Sequence, residues 1–331
     1  MGQTGLRNSI ADIDGLLVGN ARDEGVRTGT TVILAETPVT AAVSVAGGGP
    51  GTRETDLLKA GMLVQKADAV VLSGGSAYGL AAAEGVVAEL GAKGRGFGLM
   101  DLPGVPKTPI VPAAILYDLA NGGDKSWGVE PPYSALGRAA LASAGQDFEL
   151  GRAGAAFGAR AGQLPGGLGS ASWKTDDGIT VGALVAVNCF GATQMPGTDC
   201  FWAWPFEVDG EFGGARPPAG YSVRPEDWGA AKVNPAPGQN TTIGCVATDA
   251  ALTASQAQRV AEMALGGLAR AIRPVFAPVD GDTVFALATG RGPEREIDAL
   301  TLSRIGELAA GCLARAVARG VWLAGKTAIG A

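Results

Sequence analysis

Short apolar runs separated by glycine and proline recur along this chain. Residues 31–34, 39–46, 69–73, 110–116 and 180–188 are brief and rich in Val, Ile or Ala, which predicts buried strands. Between them, the alanine-rich stretch 76–90 and the good helix formers of 134–143 predict helices. The same order returns further on. A strand over 242–248 is followed by Thr253 and Gln256, spaced as a capping box, so a helix starts there and ends before Pro274. A strand over 283–288 and a long Ala/Leu helix over about 297–318 complete the pattern. No repeat of fixed period is evident, and 217–238, with five prolines, is the best candidate for an exposed connection. Elements of both kinds imply a layered α/β fold with helices covering buried sheets. Strands apolar on both faces are expected where a sheet lies between layers, and a four-layer αββα sandwich would hold two such sheets.

Composition bounds the function. The chain has 331 residues, 47% hydrophobic and 18% charged, enough to bury a sizeable core as one large domain or two intimate ones. A net charge of −6 and the lack of a Lys/Arg stripe argue against nucleic acid. Residues 1–15 hold Asp12 and Asp14 but no apolar signal core. No run approaches the roughly 18 continuous apolar residues of a membrane span, so a soluble, cytoplasmic protein is expected. Cys189, Cys200, Cys245 and Cys312 form no Cys-x-x-Cys pair, and there is no histidine, which excludes a typical structural zinc set. The cysteines read as small buried hydrophobes in a reducing compartment.

The 53 glycines invite a nucleotide reading. Residues 320–327, Gly-Val-Trp-Leu-Ala-Gly-Lys-Thr, match the phosphate-loop pattern letter for letter, but only four residues follow Thr327, too few for the helix such a loop must open. Clusters at Gly47-Gly48-Gly49, Gly74-Gly75 and Gly166-Gly167 suit tight turns, close backbone approach or anion cradles.

One junction carries chemistry. Pro237-Gly238-Gln239-Asn240-Thr241-Thr242 leads into the apolar run Ile243-Gly244-Cys245-Val246-Ala247, in a chain without histidine. A break between Asn240 and Thr241 would place a β-hydroxyl and a free α-amine on one residue, nucleophile and base together. In the uncut chain the Thr241 hydroxyl would attack the Asn240 carbonyl, move the acyl group from nitrogen to oxygen and leave an ester for water to open. Afterwards an α-amine with a pKa of about 7.7–8.0 accepts a proton near neutral pH. The plainer reading is a Pro-Gly turn before an ordinary strand. Asn240-Thr241-Thr242 also fits a glycosylation sequon.

Motifs along nearly the whole chain are similar to those of the L-aminopeptidase/D-esterase (DmpA-like) family, to which nylon-oligomer hydrolases belong. They are Gly51-Thr52-Arg53-Glu54-Thr55-Asp56, Ser73-Gly74-Gly75-Ser76-Ala77-Tyr78-Gly79-Leu80, Ile115-Leu116-Tyr117-Asp118, Leu136-Gly137-Arg138-Ala139-Ala140, Asn240-Thr241-Thr242-Ile243, Ala247-Thr248-Asp249-Ala250, Arg273-Pro274 and Asp280-Gly281-Asp282-Thr283. The resemblance implies a four-layer αββα N-terminal-nucleophile hydrolase of peptide or linear amide bonds. It would be one domain over 1–331, cut into an α fragment, 1–240, and a β fragment, 241–331. A homo-oligomer, commonly a tetramer, is implied, and no cofactor or metal. An acyltransferase of the ornithine acetyltransferase type and a noncatalytic ligand-binding member of the fold are the alternatives.

With Thr241 as nucleophile, the resemblance points to further residues. Asn188 ends an apolar run and could place its amide on the carbonyl oxygen, or merely close a turn. Tyr117 could hydrogen-bond the amine or the tetrahedral oxygen, or be an ordinary buried tyrosine. Asp280 and Asp282, two residues apart around Gly281, could orient the amine or assist proton transfer, although Asp-Gly is also a common turn. Gln163 stands where the resemblance places a functional lysine. Trp202 and Trp204, in the run Phe201-Trp202-Ala203-Trp204-Pro205-Phe206, could line a substrate cleft or belong to an aromatic core strand.

Overall fold

The two runs expected at 31–34 and 39–46 form a single long strand, β2, and this strand organises the molecule. The computed structural model describes residues 2–100, 102–233 and 240–328. In chain order the strands are β1 (Leu16–Asp23), β2 (Thr28–Val45), β3 (Thr52–Arg53), β4 (Lys66–Ser73), β5 (Ala113–Ile115), β6 (Arg160–Ala161), β7 (Leu164–Pro165), β8 (Gly167–Lys174), β9 (Thr180–Asn188), β10 (Thr241–Thr248) and β11 (Thr283–Ala288). The helices are α1 (Ala81–Ala92), α2 (Tyr133–Ala142), α3 (Ala254–Ala271) and α4 (Ala299–Ala328). Hydrogen bonds run in the order β3-β5-β4-β2-β11-β10-β9-β8, with β1 also on β2.

The register of β2 breaks between Leu34 and Val39, next to Pro38. Before the break it pairs with β1 and β4; beyond it, β4 is kept only at Val39 and Thr40 and the strand runs along β11. One continuous sheet thus runs through β2, whose irregularity lets the ladder turn from one layer into the next. Period-2 alternation then sorts the side chains. Val32 and Val71 face α1 and α2 in one apolar cluster, while Ile33, Val70 and Leu72 meet Leu184, Ile243, Cys245 and Phe285 in a second. On the far side Val185, Val246 and Val284 meet α3 and α4 in a third. Three apolar layers between four layers of structure make an αββα sandwich, as expected. Every residue of β9, β10 and β11 is buried, because both faces of their sheet are covered.

Glycine serves close approach here. A side chain on Gly167 or Gly169 of β8 would run into the backbone of α4 at Gly320 and Ala316. The phosphate-loop look-alike, 320–327, lies inside α4, with Gly320 facing β8. Helix α4 also holds a window long and apolar enough to cross a membrane, but 67% of that window is buried within the protein. The cysteines are all buried and unpaired.

The capping box at Thr253 and Gln256 is present and opens α3. The helix expected from residue 76 starts as a 3-10 turn, Ser76–Leu80, before α1. Strands β1 and β8 lie outside the runs legible in the sequence.

Candidate active site

Strand β10 begins at Thr241, whose register partner on β9 is Asn188 and whose other neighbour, β11, follows the Asp280-Gly281-Asp282 turn. Asn240, just before it, is bridged to Asp280. The sheet therefore gathers Asn188, Asn240, Thr241, Asp280 and Asp282, all buried. The Pro-Gly turn expected at Pro237, Gly238 and Gln239 lies outside the described residues.

The Thr241 hydroxyl donates to the Asn240 carbonyl oxygen, and the Gly281 N–H donates to the same oxygen at 3.1 Å. Residue 281 must be glycine for this approach, since a Cβ there would lie 2.7 Å from the Thr241 hydroxyl and 2.6 Å from the Gly49 carbonyl. The Gly47-Gly48-Gly49 cluster acts as a clamp. Gly49 N–H donates to Asp280 O (2.7 Å), Gly47 N–H to Asp282 O (3.2 Å) and Gly48 N–H to Ala277 O (3.3 Å), so the cluster binds carbonyls of the turn.

The two aspartates have different surroundings. Asp282 accepts from the Thr242 N–H at 2.7 Å and the Phe276 N–H at 3.2 Å, which fixes the start of β10. Asp280 accepts from the Phe190 N–H at 3.0 Å through one oxygen, and its other oxygen is buried without a partner. Burial raises the pKa of both. Asp282 is pushed up to about 7, first by burial and then by Asp280 beside it, so the pair binds a proton more readily than isolated carboxylates do. The Asn240 side-chain oxygen and nitrogen and the Thr242 hydroxyl are also buried without partners. Unpaired buried polar atoms are costly, at about 1–3 kcal/mol each, and four of them, two on Asn240 and one each on Thr242 and Asp280, lie around one peptide bond.

Above this bond lies a cavity of about 430 Å³, walled by Asn240, Asn188, Tyr117, Gln163, Lys232, Asp118 and Arg160 among others. Asn188 donates from its amide to Tyr117 O (3.0 Å) and accepts from the Arg160 N–H (2.9 Å). In the uncut chain the Gly281 N–H is the donor seen on the Asn240 carbonyl, and the Tyr117 main-chain carbonyl is what holds the Asn188 amide. Trp202 and Trp204 do not wall this cavity. Phe201 and Ala203 turn into the core beneath the helices, which directs the tryptophans outward under Arg273 and Arg216. Gln163 does reach the cavity, where it donates to Ala231 O (3.0 Å) and its N–H to Ala230 O (2.8 Å).

That contact steadies a cation absent from the sequence reading. Lys232 follows Ala231, donates from its ammonium to Asn188 O at 3.1 Å, and is half-buried. Burial pulls its pKa down to about 8, while Cys189 and Asp280 oppose the fall. Asp118, at the other end of the cavity, is pushed up to about 6 by burial, although the Thr28 hydroxyl (2.7 Å) and the Gly75 N–H (2.7 Å) favour its charge. No spacing rule singles out Lys232, an isolated cation in a Pro/Gly-rich connection, and Asp118 was visible only as a member of a motif.

Residues 8–330 match the model of peptidase family S58. An uncharacterized aminopeptidase of Mycobacterium tuberculosis is 42% identical over 336 residues, covering 95% of this chain and 93% of the relative. A 6-aminohexanoate-oligomer endohydrolase of Kocuria sp. is 30% identical, covering 86% of this chain and 76% of the relative. Among solved structures, a β-aminopeptidase of Burkholderia sp. superposes with a TM-score of 0.70 at 23% identity, over 96% of this chain and 87% of that one. An L-aminopeptidase D-Ala-esterase/amidase of Ochrobactrum anthropi, described as a variant of the Ntn hydrolase fold, gives 0.67 at 22% identity, with the same coverage. These two likenesses establish the fold.

Proposed function

The chain belongs to peptidase family S58 and is a hydrolase of amide bonds, and from that premise we propose that it cuts itself between Asn240 and Thr241 and then uses Thr241 as an N-terminal nucleophile. The observation that carries this reading is the Asn240 carbonyl, held between the Thr241 hydroxyl and the Gly281 N–H. In the first step the Thr241 oxygen bonds to the Asn240 carbonyl carbon. Negative charge develops on the carbonyl oxygen, where the Gly281 N–H already points. The hydroxyl proton passes through the aspartate pair to the departing Thr241 nitrogen, the C–N bond breaks, and water opens the resulting ester. Asn240 is left with a carboxylate and Thr241 with a free amine.

The new ammonium finds an acceptor in the open Asp280 oxygen. The amine takes the hydroxyl proton of Thr241 when an amide substrate enters, so no histidine is needed. Substrates on this reading are small peptides or linear amides, including 6-aminohexanoate oligomers. The working form is a cytoplasmic homo-oligomer, a tetramer of processed αβ protomers. Intact-mass analysis tests the first step: wild type yields fragments 1–240 and 241–331, and Thr241→Ala stays whole. A wild type that remains whole on prolonged incubation refutes it. Transfer of the acyl group to an added amine in preference to water would favour the acyltransferase alternative.

A further inference from the structure

The cavity over Asn240 continues into a second one of about 420 Å³, and the two share Ala120, Asn121, Gly158, Arg160 and Gln163 in their walls. The outer cavity adds Arg27 and Arg152. In a chain with six more acidic than basic residues, the joined groove carries Lys232, Arg160, Arg152 and Arg27. Among the described residues its one lining carboxylate, Asp118, is 3% exposed and engaged with Thr28 and Gly75.

The arginines are not consumed by the fold. Arg27 donates to Asn121 O (3.3 Å), Arg160 donates to Gln163 O (3.0 Å), and Arg152 lies over the Phe157 ring. Among the described residues none of the three has a carboxylate partner, whereas nearby Arg22 is paired with both Glu24 and Glu149. An unpaired guanidinium keeps a planar fork of donors that matches a carboxylate in two-point contact. Cations along one wall of a groove also concentrate field lines and attract an anion toward it.

We infer that this arginine-lined groove is a subsite for a carboxylate carried by the substrate at a distance from the bond being cut. The inference rests on the Thr241 reading for which bond is cut, but the binding chemistry belongs to the groove alone. Two sources of the carboxylate share that chemistry, a chain terminus and an acidic side chain.

Two pairs of probes separate the sources. The linear 6-aminohexanoate trimer and its C-terminal carboxamide test the terminus, and Ala-Ala-Glu amide against Ala-Ala-Gln amide tests the side chain. Calorimetric binding and steady-state hydrolysis are measured on wild type, Arg27→Gln and Arg152→Gln, both exposed positions. At low salt the carboxylate member of at least one pair is expected to bind about tenfold more tightly, the scale of one good charge-assisted contact. The preference should appear in KM, fall toward unity in both variants, and shrink at about 1 M salt, where the screening length is about 3 Å. Preference in the first pair assigns a terminus, and in the second a side chain. A carboxylate preference in binding without turnover leaves the groove standing and removes the Thr241 mechanism. Equal binding within both pairs, no binding of any probe, or a preference that both variants retain overturns the subsite.

Discussion

Strand β10 has a threonine and a buried aspartate at each end, and the two ends are built differently. At the far end Thr248 donates to Thr180 O (3.0 Å) and accepts from the Ala250 N–H (3.2 Å), while Asp249 accepts from the Thr180 N–H (2.9 Å). Those groups close a turn. At the near end the Asn240 amide, the Thr242 hydroxyl and one Asp280 oxygen have no partner, and the Thr241 hydroxyl rests on the carbonyl of its own preceding peptide. The same residue types in the same sheet thus find partners at Thr248 and Asp249 and are left open at Asn240, Thr242 and Asp280. Unsatisfied polar groups survive in a folded protein where another step uses them.

Removing the nucleophile should break the comparison most completely. Thr241→Ala is expected to abolish chain cleavage and to lower amide hydrolysis by about 10⁴-fold or more, read by intact mass and steady-state rate. Asp280→Asn and Asp282→Asn keep the shape but cannot carry the proton, so each should slow cleavage by about 10²–10⁴-fold. Unchanged cleavage in both aspartate variants would remove the pair from the mechanism.

A smaller effect reads the charge balance of the near end. Burial holds the folded-state pKa of Asp282 at about 7, above the unfolded value of about 3.9. The folded chain binds that proton more tightly than the unfolded one, so this contribution to stability is complete below about pH 4 and is lost as pH rises through about 7. In the uncut Thr241→Ala chain, melting temperature should therefore fall over that range, and Asp282→Asn should flatten the fall. The positive field of Lys232 favours ionised Asp280, and the titratable groups about this lysine are Asp280, Arg160 and Cys189, whose thiol burial pushes up to about 12. Lys232→Met should move the acid limb of cleavage to higher pH, whereas Lys232→Arg should hold it near wild type. An acid limb unmoved by Lys232→Met would leave the lysine as a simple tether for Asn188.

Much of the fold could be read from the sequence because burial on both faces leaves apolar runs of unmistakable composition. Strands β9, β10 and β11 and the capped start of α3 were visible for that reason. Strand β8 was not, since Gly167 and Gly169 answer to the backbone of α4 and lower its strand character. Strand β1, with Asn20, Arg22 and Asp23, mixes polar residues into a ladder that leaves the core at its far end. At the site, Thr241 and the aspartate turn stood out by their chemistry in a chain lacking histidine. Gly281 could not, because what it contributes is an N–H aimed by a turn. Lys232 reaches Asn188 through a connection with no periodicity to place it, and the tryptophans misled because alternation put their neighbours, not them, into the core.

The mildest perturbation is the most informative control. Thr248→Ala removes a hydroxyl with both a donor and an acceptor bond, and it leaves the Thr180 carbonyl and the Ala250 N–H short of a partner. A loss of about 1–3 kcal/mol is expected, seen as a lower denaturation midpoint. Cleavage at Asn240–Thr241 should proceed at the wild-type rate in the folded chain, since β10 is anchored along its length by β9 and β11. Equal suppression of cleavage by Thr248→Ala and Thr241→Ala would mean that cutting depends on the rigidity of the whole strand, and the contrast between its two ends would lose its chemical meaning.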